Sequence, residues 1–428
     1  MRRTLIALAA TTVAASAAVP QAANAEGIDI LSMLPKPTYG AFYIPPDPLP
    51  PGKPGDIIRW QPMDMSKAIT KTRRGVKGYL VMYRSTSAIG EPIAVTGTVL
   101  IPHEDPKQGA ANRPLISYGN EAQGLGDNCA VSRLMRFGHT GEIALTEPML
   151  KRGYAVASTD YEGLGTKAVH TFGVTVSSAH SMLDMARAAR NLEVAKLPKD
   201  GKLALYGYSQ GGAAVGMAAE IAGTYAPELD ISAAAMGGAP IEPYTFSKFN
   251  DGGVFASVNV AAAAGYDAAY PDLKLRDMLN PYGEKIIDKT YNSCIEQIFP
   301  LANTKASSFL KDGLDIYKDP RWIARLNENE IGNGAAPTMP VYNFHALGDQ
   351  AAPYAMATRL RRKWCGEGVQ LRHVGLYVLE HVSAGPVWMP QAAKWVQARI
   401  EGKPDKGNCG YSPLIKAKEA AAAAKAAG

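Results

Sequence analysis

The chain has 428 residues, 46% of them hydrophobic, and a formal net charge of +6 at pH 7. That length and apolar content are enough to bury a large core, as one α/β domain with an insertion or as two domains, and they exclude a mainly disordered chain. No dense Lys/Arg block interleaved with aromatics occurs, which excludes nucleic-acid binding through phosphate neutralisation.

The first residues, MRRTLIALAATTVAASAAVPQAANA, combine a basic start at Arg2 and Arg3, an apolar run from Leu5 to Val19, and small residues at Ala23 and Ala25 before Glu26. This is the pattern of a secretory signal cleaved near Ala25. The run is shorter than the roughly 20 residues of a spanning helix, and no later segment is longer, so no transmembrane segment is expected. The mature chain is expected to be secreted, whether extracellular or periplasmic. Loss of Arg2 and Arg3 lowers the charge to +4 (6 − 2), and the tail KAKEAAAAAKAAG holds +2 of that (three Lys less one Glu). The body of the protein is therefore close to neutral.

Residues 26–75 are read as a Pro-rich stretch packed on the core. Ten prolines between Pro20 and Pro62 argue against helices and central strands there. A β-rich section follows: GYLVMYRST, IAVTGTVLIP and PLISYG are short, β-branched or aromatic, and end in Gly, Pro or Thr. Strand and helix then alternate. A helix around Glu142 to Lys151 precedes the strand YAVASTD, a helix from Ser177 to Val194 precedes LALYGY, and a small-residue helix leads to ISAAAMGG. Such alternation predicts the α/β class, a mostly parallel sheet with helices on both faces, begun by residues 76–236. It breaks at about Gly237 and resumes with MPVYNFHALGD and VQLRHVGLYV, so 237–335 is read as an inserted, mainly helical cap and 336–412 as the rest of the core. Twelve of the chain's 34 aromatics lie between Tyr244 and Trp322, enough to give the cap its own core and to line an acyl pocket. Residues 413–428 are an Ala/Lys-rich tail.

Gly207-Tyr208-Ser209-Gln210-Gly211 fits G-x-S-x-G between a buried strand and a small-residue helix. A plain glycine turn would also place glycines here. In the functional reading the turn forces Ser209 into a strained conformation, and a Cβ at 207 or 211 would clash. The hydroxyl then stands at the sheet edge, with a helix N-terminus behind it to stabilise negative charge. A nucleophilic serine needs a base, and in this fold class the chain order is serine, acid, histidine. Asp349 closes MPVYNFHALGD and His381 follows VQLRHVGLYVLE, both expected in loops at the edge where Ser209 emerges. His103, His139, His170 and His180 precede the serine, and His345 and His373 fall within predicted strands. Two backbone N–H groups are expected to hold the oxyanion, one from Gln210 and one from the glycine-rich loop GNEAQGLGDNC, where Glu121, Ala122 and Gln123 are the candidates. The four cysteines, Cys129, Cys294, Cys365 and Cys409, are too far apart for a zinc knuckle or a C-x-x-C pair. In an exported protein they read as two disulfides, with three pairings open.

Together, SYGNEAQGLGDNCAVS, GYAVASTDYEGLG, YGYSQGG, HALGDQAAP and the LEH ending in His381 resemble the secretory lipase family, the lipase A type of yeasts and exported bacterial esterases. The resemblance covers most of the mature chain. It implies an α/β-hydrolase core with a helical cap, ester hydrolysis with no cofactor or metal, and a triad on Ser209, Asp349 and His381. It further implies disulfides pairing Cys129 with Cys294 and Cys365 with Cys409. The expected function is a secreted serine hydrolase of acylglycerols or related carboxylic esters, in transient contact with lipid surfaces. Two alternatives stand beside it: a peptidase or polymer esterase with the same triad, and a non-catalytic lipid-binding protein that keeps the fold.

Overall fold

The computed structural model describes residues 40–66, 71–107, 109–136 and 140–410. The expected signal segment with its cleavage point, residues 26–39 of the Pro-rich stretch, His139 and the tail from 413 lie outside the described residues.

Among the described residues nine strands form one sheet: β1 (Ile57–Met63), β2 (Lys77–Thr86), β3 (Pro92–Ile101), β4 (Leu115–Gly119), β5 (Ala155–Thr159), β6 (Leu203–Tyr208), β7 (Ile231–Gly237), β8 (Val341–Ala346) and β9 (Leu371–Leu376). Their spatial order is β1-β2-β3-β5-β4-β6-β7-β8-β9. The first three strands run antiparallel to their neighbours, and β4 to β9 are mutually parallel. β1 lies inside the Pro-rich stretch, where the prolines give no signal of a strand. Its Pro62 is tolerated because β1 is an edge strand, where a missing N–H leaves no ladder bond broken.

β4, β5 and β6 are buried along their whole length, which is why LISYG, AVAST and LALYGY read as continuous apolar or small runs. On one face the helices Thr175–Asn191, Gln210–Tyr225 and Tyr354–Gly366 pack through residues such as Met182, Leu183, Val215 and Leu360. On the other face lie the helices Glu142–Leu150 and His381–Ile400, through Leu145, Met149, Trp388 and Val396. The expected helix from Ser177 to Val194 starts two residues earlier and ends at Asn191.

Between β7 and β8 the chain leaves the sheet and runs through the helices Pro243–Asn250, Ala256–Ala269, Pro281–Thr290 and Pro320–Glu328. Proline stands at the start of three of them, where its missing N–H costs nothing. Asn280 and Asp319 cap two by accepting from Gly283 N and Arg321 N. These helices share a separate apolar cluster, including Val260, Tyr266, Ile287, Trp322 and Leu326, which continues into Leu125, Phe172 and Val174 of the core.

From β4 the chain places β5 on one side and β6 on the other, so the loops after β4 and β6 leave in opposite directions and open a crevice at their carboxyl ends. The crevice is narrow because its walls are glycine. A Cβ on Gly211 would lie 2.0 Å from the carbonyl oxygen of Gly119, and one on Gly207 would lie 2.5 Å from that of Gly211. In both cases the obstacle is backbone, which has no rotamer to yield. We therefore expect Gly211→Ala to cost about 3 kcal/mol of stability or more, read from the urea unfolding midpoint. A midpoint equal to that of the wild type would show that the two segments are not in contact.

Candidate active site

The turn from β6 into the helix Gln210–Tyr225 takes one residue, Ser209, which adopts φ 54° and ψ −121°. For a residue with a Cβ this left-handed conformation is strained, and it is held by the buried strand before it and the helix after it. Ser209 N–H donates to Gly237 O at 2.9 Å, which ties the turn to the end of β7. The side chain stands above the carboxyl edge of the sheet.

Asp349 begins the turn between β8 and the helix Tyr354–Gly366. Its Oδ1 accepts Ala351 N–H at 3.0 Å and Ala352 N–H at 2.7 Å. His381 was expected in a loop after β9, but it is the first residue of the helix His381–Ile400. Pro386 and Pro390 lie inside that helix and suppress its signal in the sequence, because proline removes intrahelical hydrogen bonds. The helix start is rigid: Glu380 caps it, accepting Ser383 N–H at 2.7 Å and Val382 N–H at 2.9 Å. Burial pushes the Glu380 carboxyl up, but donors from Ser383, Gln350 and Val382 outweigh it and hold its pKa down to about 2.

These placements bring the three residues together. Ser209 Oγ lies 2.9 Å from His381 Nε2, and His381 Nδ1 lies 2.8 Å from Asp349 Oδ2 and 3.0 Å from Oδ1. A carboxylate only accepts, so Nδ1 carries the ring hydrogen and Nε2 offers its lone pair to the serine hydroxyl. Tyr208 OH donates to His381 O at 2.6 Å, and the Tyr208 and Phe255 rings stand 5.5 and 6.1 Å from the imidazole. His381 N–H donates to Gln350 Oε1 at 3.1 Å. Tyr208, Gln350 and Glu380 thus fix the histidine. The sequence reading passed over them because only their contacts reveal the role.

The loop after β4 supplies the opposite wall. Asn120 is locked by its own side chain, which donates to Thr159 O at 2.6 Å and accepts from Ser158 Oγ at 2.8 Å. Glu121 N–H is taken by Glu142 Oε1 at 2.9 Å, which withdraws it from the oxyanion candidates. Ala122, Gln123 and Gln210 line the same cavity as Ser209 and His381. Gln210 opens its helix, so its N–H has no intrahelical acceptor. The inserted segment pins this loop: Leu125 N and Gly126 N donate to Ser293 O, Ile295 N donates to Gln123 O at 2.9 Å, and Cys129 is bonded to Cys294. Cys365 is bonded to Cys409, far along the chain from the serine turn.

The cavity over Ser209 measures about 460 Å³, and Phe172, Phe246, Phe255, Tyr266, Phe299 and Leu326 make it mainly apolar. Three glutamates, Glu121, Glu142 and Glu296, also line it. Glu142 accepts from Tyr118 OH, Glu121 N–H and, at 2.9 Å, Gln123 Nε2. Burial first, then the nearby Glu142 charge, pushes the Glu121 carboxyl up to about 8. Among the described residues no group of three or more His, Cys, Asp or Glu side chains is placed to hold a metal ion. Nor is any helix among them long and apolar enough to cross a membrane.

A mostly parallel sheet with a strained serine at its switch point, hydrogen-bonded through histidine to aspartate, defines the class: a serine hydrolase of the α/β-hydrolase fold. A family model described as secretory lipase matches residues 132–408, and the chain belongs to that family. It is a carboxylic-ester hydrolase. It is 29% identical over 392 residues to a secreted triacylglycerol lipase of Malassezia globosa, covering 88% of this chain and 82% of that one. It is also 28% identical to a probable inactive lipase of Mycobacterium tuberculosis, over 86% of this chain and 83% of that one. Candida antarctica lipase A shares the fold with a TM-score of 0.79 and 23% identity, over 92% of this chain and 95% of that one.

The Glu121 carboxyl gives a stability signature. Its folded pKa, about 8, exceeds the unfolded value of 4.5, so between these pH values the unfolded chain has released a proton that the folded protein still holds. This contribution therefore falls as pH rises from 4.5 to 8 and is level above that. Glu121→Gln should show a gain in melting temperature over the wild type that grows from pH 5 to pH 8. A gain independent of pH would mean that Glu121 is ionised throughout.

Proposed function

We propose that Ser209 is the nucleophile of a secreted acylglycerol or related ester hydrolase, with His381 as the general base and acid and Asp349 as the orienting carboxylate. The observation that carries this is the unbroken chain from Ser209 Oγ to His381 to Asp349, opening into an apolar cavity of about 460 Å³. That volume lies within the range of small-molecule sites, about 300–1,000 Å³. As Ser209 Oγ bonds to the ester carbonyl carbon, its proton passes to His381 Nε2, and the Asp349 carboxylate stabilises the imidazolium that forms. The N–H of Gln210, with that of Ala122 or Gln123, receives the oxyanion. The imidazolium protonates the departing alcohol oxygen as the carbon–oxygen bond breaks. Water then repeats the sequence on the acyl-enzyme, releasing the carboxylic acid and restoring the serine.

The triacylglycerol activity named for the Malassezia relative supports acylglycerols as the substrate class. At the mouth, Phe299 and Val382 both line the cavity and are exposed, which suits transient contact with a lipid surface. The apolar walls favour an acyl ester over a peptide amide. Export, with cleavage near Ala25, belongs to the same reading. The second reading, a silent lipid-binding protein, draws on the relative named as probably inactive. The intact hydrogen-bonded chain favours catalysis.

A fluorophosphonate probe separates the two. It should label folded wild-type protein on Ser209 and leave Ser209→Ala unlabelled. Ser209→Ala and His381→Ala should hydrolyse p-nitrophenyl butyrate at less than about one ten-thousandth of the wild-type kcat, with unchanged far-UV circular dichroism. Absence of an adduct on folded wild-type protein would favour the lipid-binding reading.

A further inference from the structure

The strand that delivers the acid carries an unusual polar load. Asn343 and His345 lie two residues apart on β8 and so share a face, and the register partner of Asn343 on β9 is His373. All three are fully buried. Both amide atoms of Asn343, Nδ1 of His345 and Nδ1 of His373 have no hydrogen-bond partner. An unpartnered buried polar group costs about 1–3 kcal/mol, so packing alone is a poor reason to keep this set.

The bonded atom of His345 is held by the turn that carries the acid. His345 Nε2 lies 2.6 Å from Ala352 O and 3.4 Å from Asp349 Oδ2. A carbonyl and a carboxylate both accept, so Nε2 carries the hydrogen and Nδ1 is the bare nitrogen. Ala352 is held twice, because its N–H donates to Asp349 Oδ1 while its carbonyl receives His345. His345, Ala352 and Asp349 therefore close a ring of contacts around the turn. Oδ1 takes the two backbone donors, whereas Oδ2, the oxygen nearest His381 Nδ1, faces the His345 ring. On its far side His345 meets Tyr354 at 6.0 Å between ring centres, and Tyr354 OH lies 3.2 Å from His373 Nε2. Burial holds the His345 imidazole below its ordinary pKa, so the ring stays neutral and keeps this hydrogen.

We propose that His345 is a positioning residue for ester hydrolysis, holding the plane of the Asp349 carboxylate from behind so that Oδ2 meets His381. This rests on the reading of Asp349 as the triad acid.

The test is a double-mutant cycle with p-nitrophenyl butyrate on the full-length protein, using His345→Met, Asp349→Asn and the double variant, with His345→Gln added because its amide N–H can stand where Nε2–H stood. His345→Met should lower kcat about tenfold, because freeing the Ala352 carbonyl loosens the turn that fixes the Asp349 carboxylate and a small misplacement of a catalytic group is costly, and leave KM within about twofold. His345→Gln should recover most of the loss. In the Asp349→Asn background His345→Met should cost less than about twofold, since the carboxylate it orients is gone. Circular dichroism and melting temperature establish folding, and if His345→Met does not fold, the cycle is run with His345→Asn, with His345→Gln kept as the rescue. Equal losses in both backgrounds, a wild-type kcat in His345→Met, or a loss confined to KM would overturn the proposal for His345 while leaving the acid in place. Wild-type activity in Asp349→Asn would overturn the acid assignment itself, and this proposal with it.

Discussion

The contact between the backbone of Gly211 and the carbonyl of Gly119 is the constraint on which the site depends. The two segments come from different strands, β4 and β6, and each leaves the sheet at the switch point. Side chains at 119 or 211 would hold them apart, because a Cβ at either meets the backbone of the other within 2.9 Å, and a Cβ at 207 would force the serine turn open by lying 2.5 Å from Gly211 O. Their absence lets the loop after β4 lie beside the serine turn. Oxyanion donors act only within hydrogen-bond distance of the reacting oxygen, so this approach is a condition of the proposed chemistry.

Once there, the loop is held from three sides. Asn120 anchors it to β5, Glu142 anchors it from the neighbouring helix, and Ser293, Cys294 and Ile295 of the inserted segment anchor it from above. The inserted segment therefore roofs the cavity and also braces one wall of the site. Preorganised donors need no reorganisation when negative charge develops, which is where enzymes of this class gain most of their rate. The histidine is held in the same manner, with its backbone fixed by Tyr208 and Gln350 and its ring by Asp349.

The cavity wall is mixed. Most of its lining is apolar and suits an acyl chain. Glu121 and Glu142 also line it, and burial first, then the neighbouring charge of Glu142, pushes Glu121 toward the neutral form. The family includes relatives named as lipases and one named as probably inactive, so the fold alone does not decide catalysis. What this chain has is the unbroken run of contacts from Ser209 through His381 to Asp349.

Much of this protein is legible along the chain. Continuous apolar or small runs mark β4 to β7 because strands of a parallel sheet are buried on both faces, and the glycines around Ser209 mark the turn because its sterics are local. Chain order led to Asp349 and His381. β1 stayed hidden because prolines obscured an edge strand, and the helix at His381 because Pro386 and Pro390 argue against helix. The amino-acid order by itself determined the sheet class, the serine turn and the three residues of the hydrogen-bonded chain. Only the tertiary structure decided that Glu121 N–H is spent on Glu142, that the inserted segment braces the loop after β4, and that His345 stands behind the acid. Each of those is a contact between distant segments, set by how the strands are ordered in space, and no spacing along the chain encodes it.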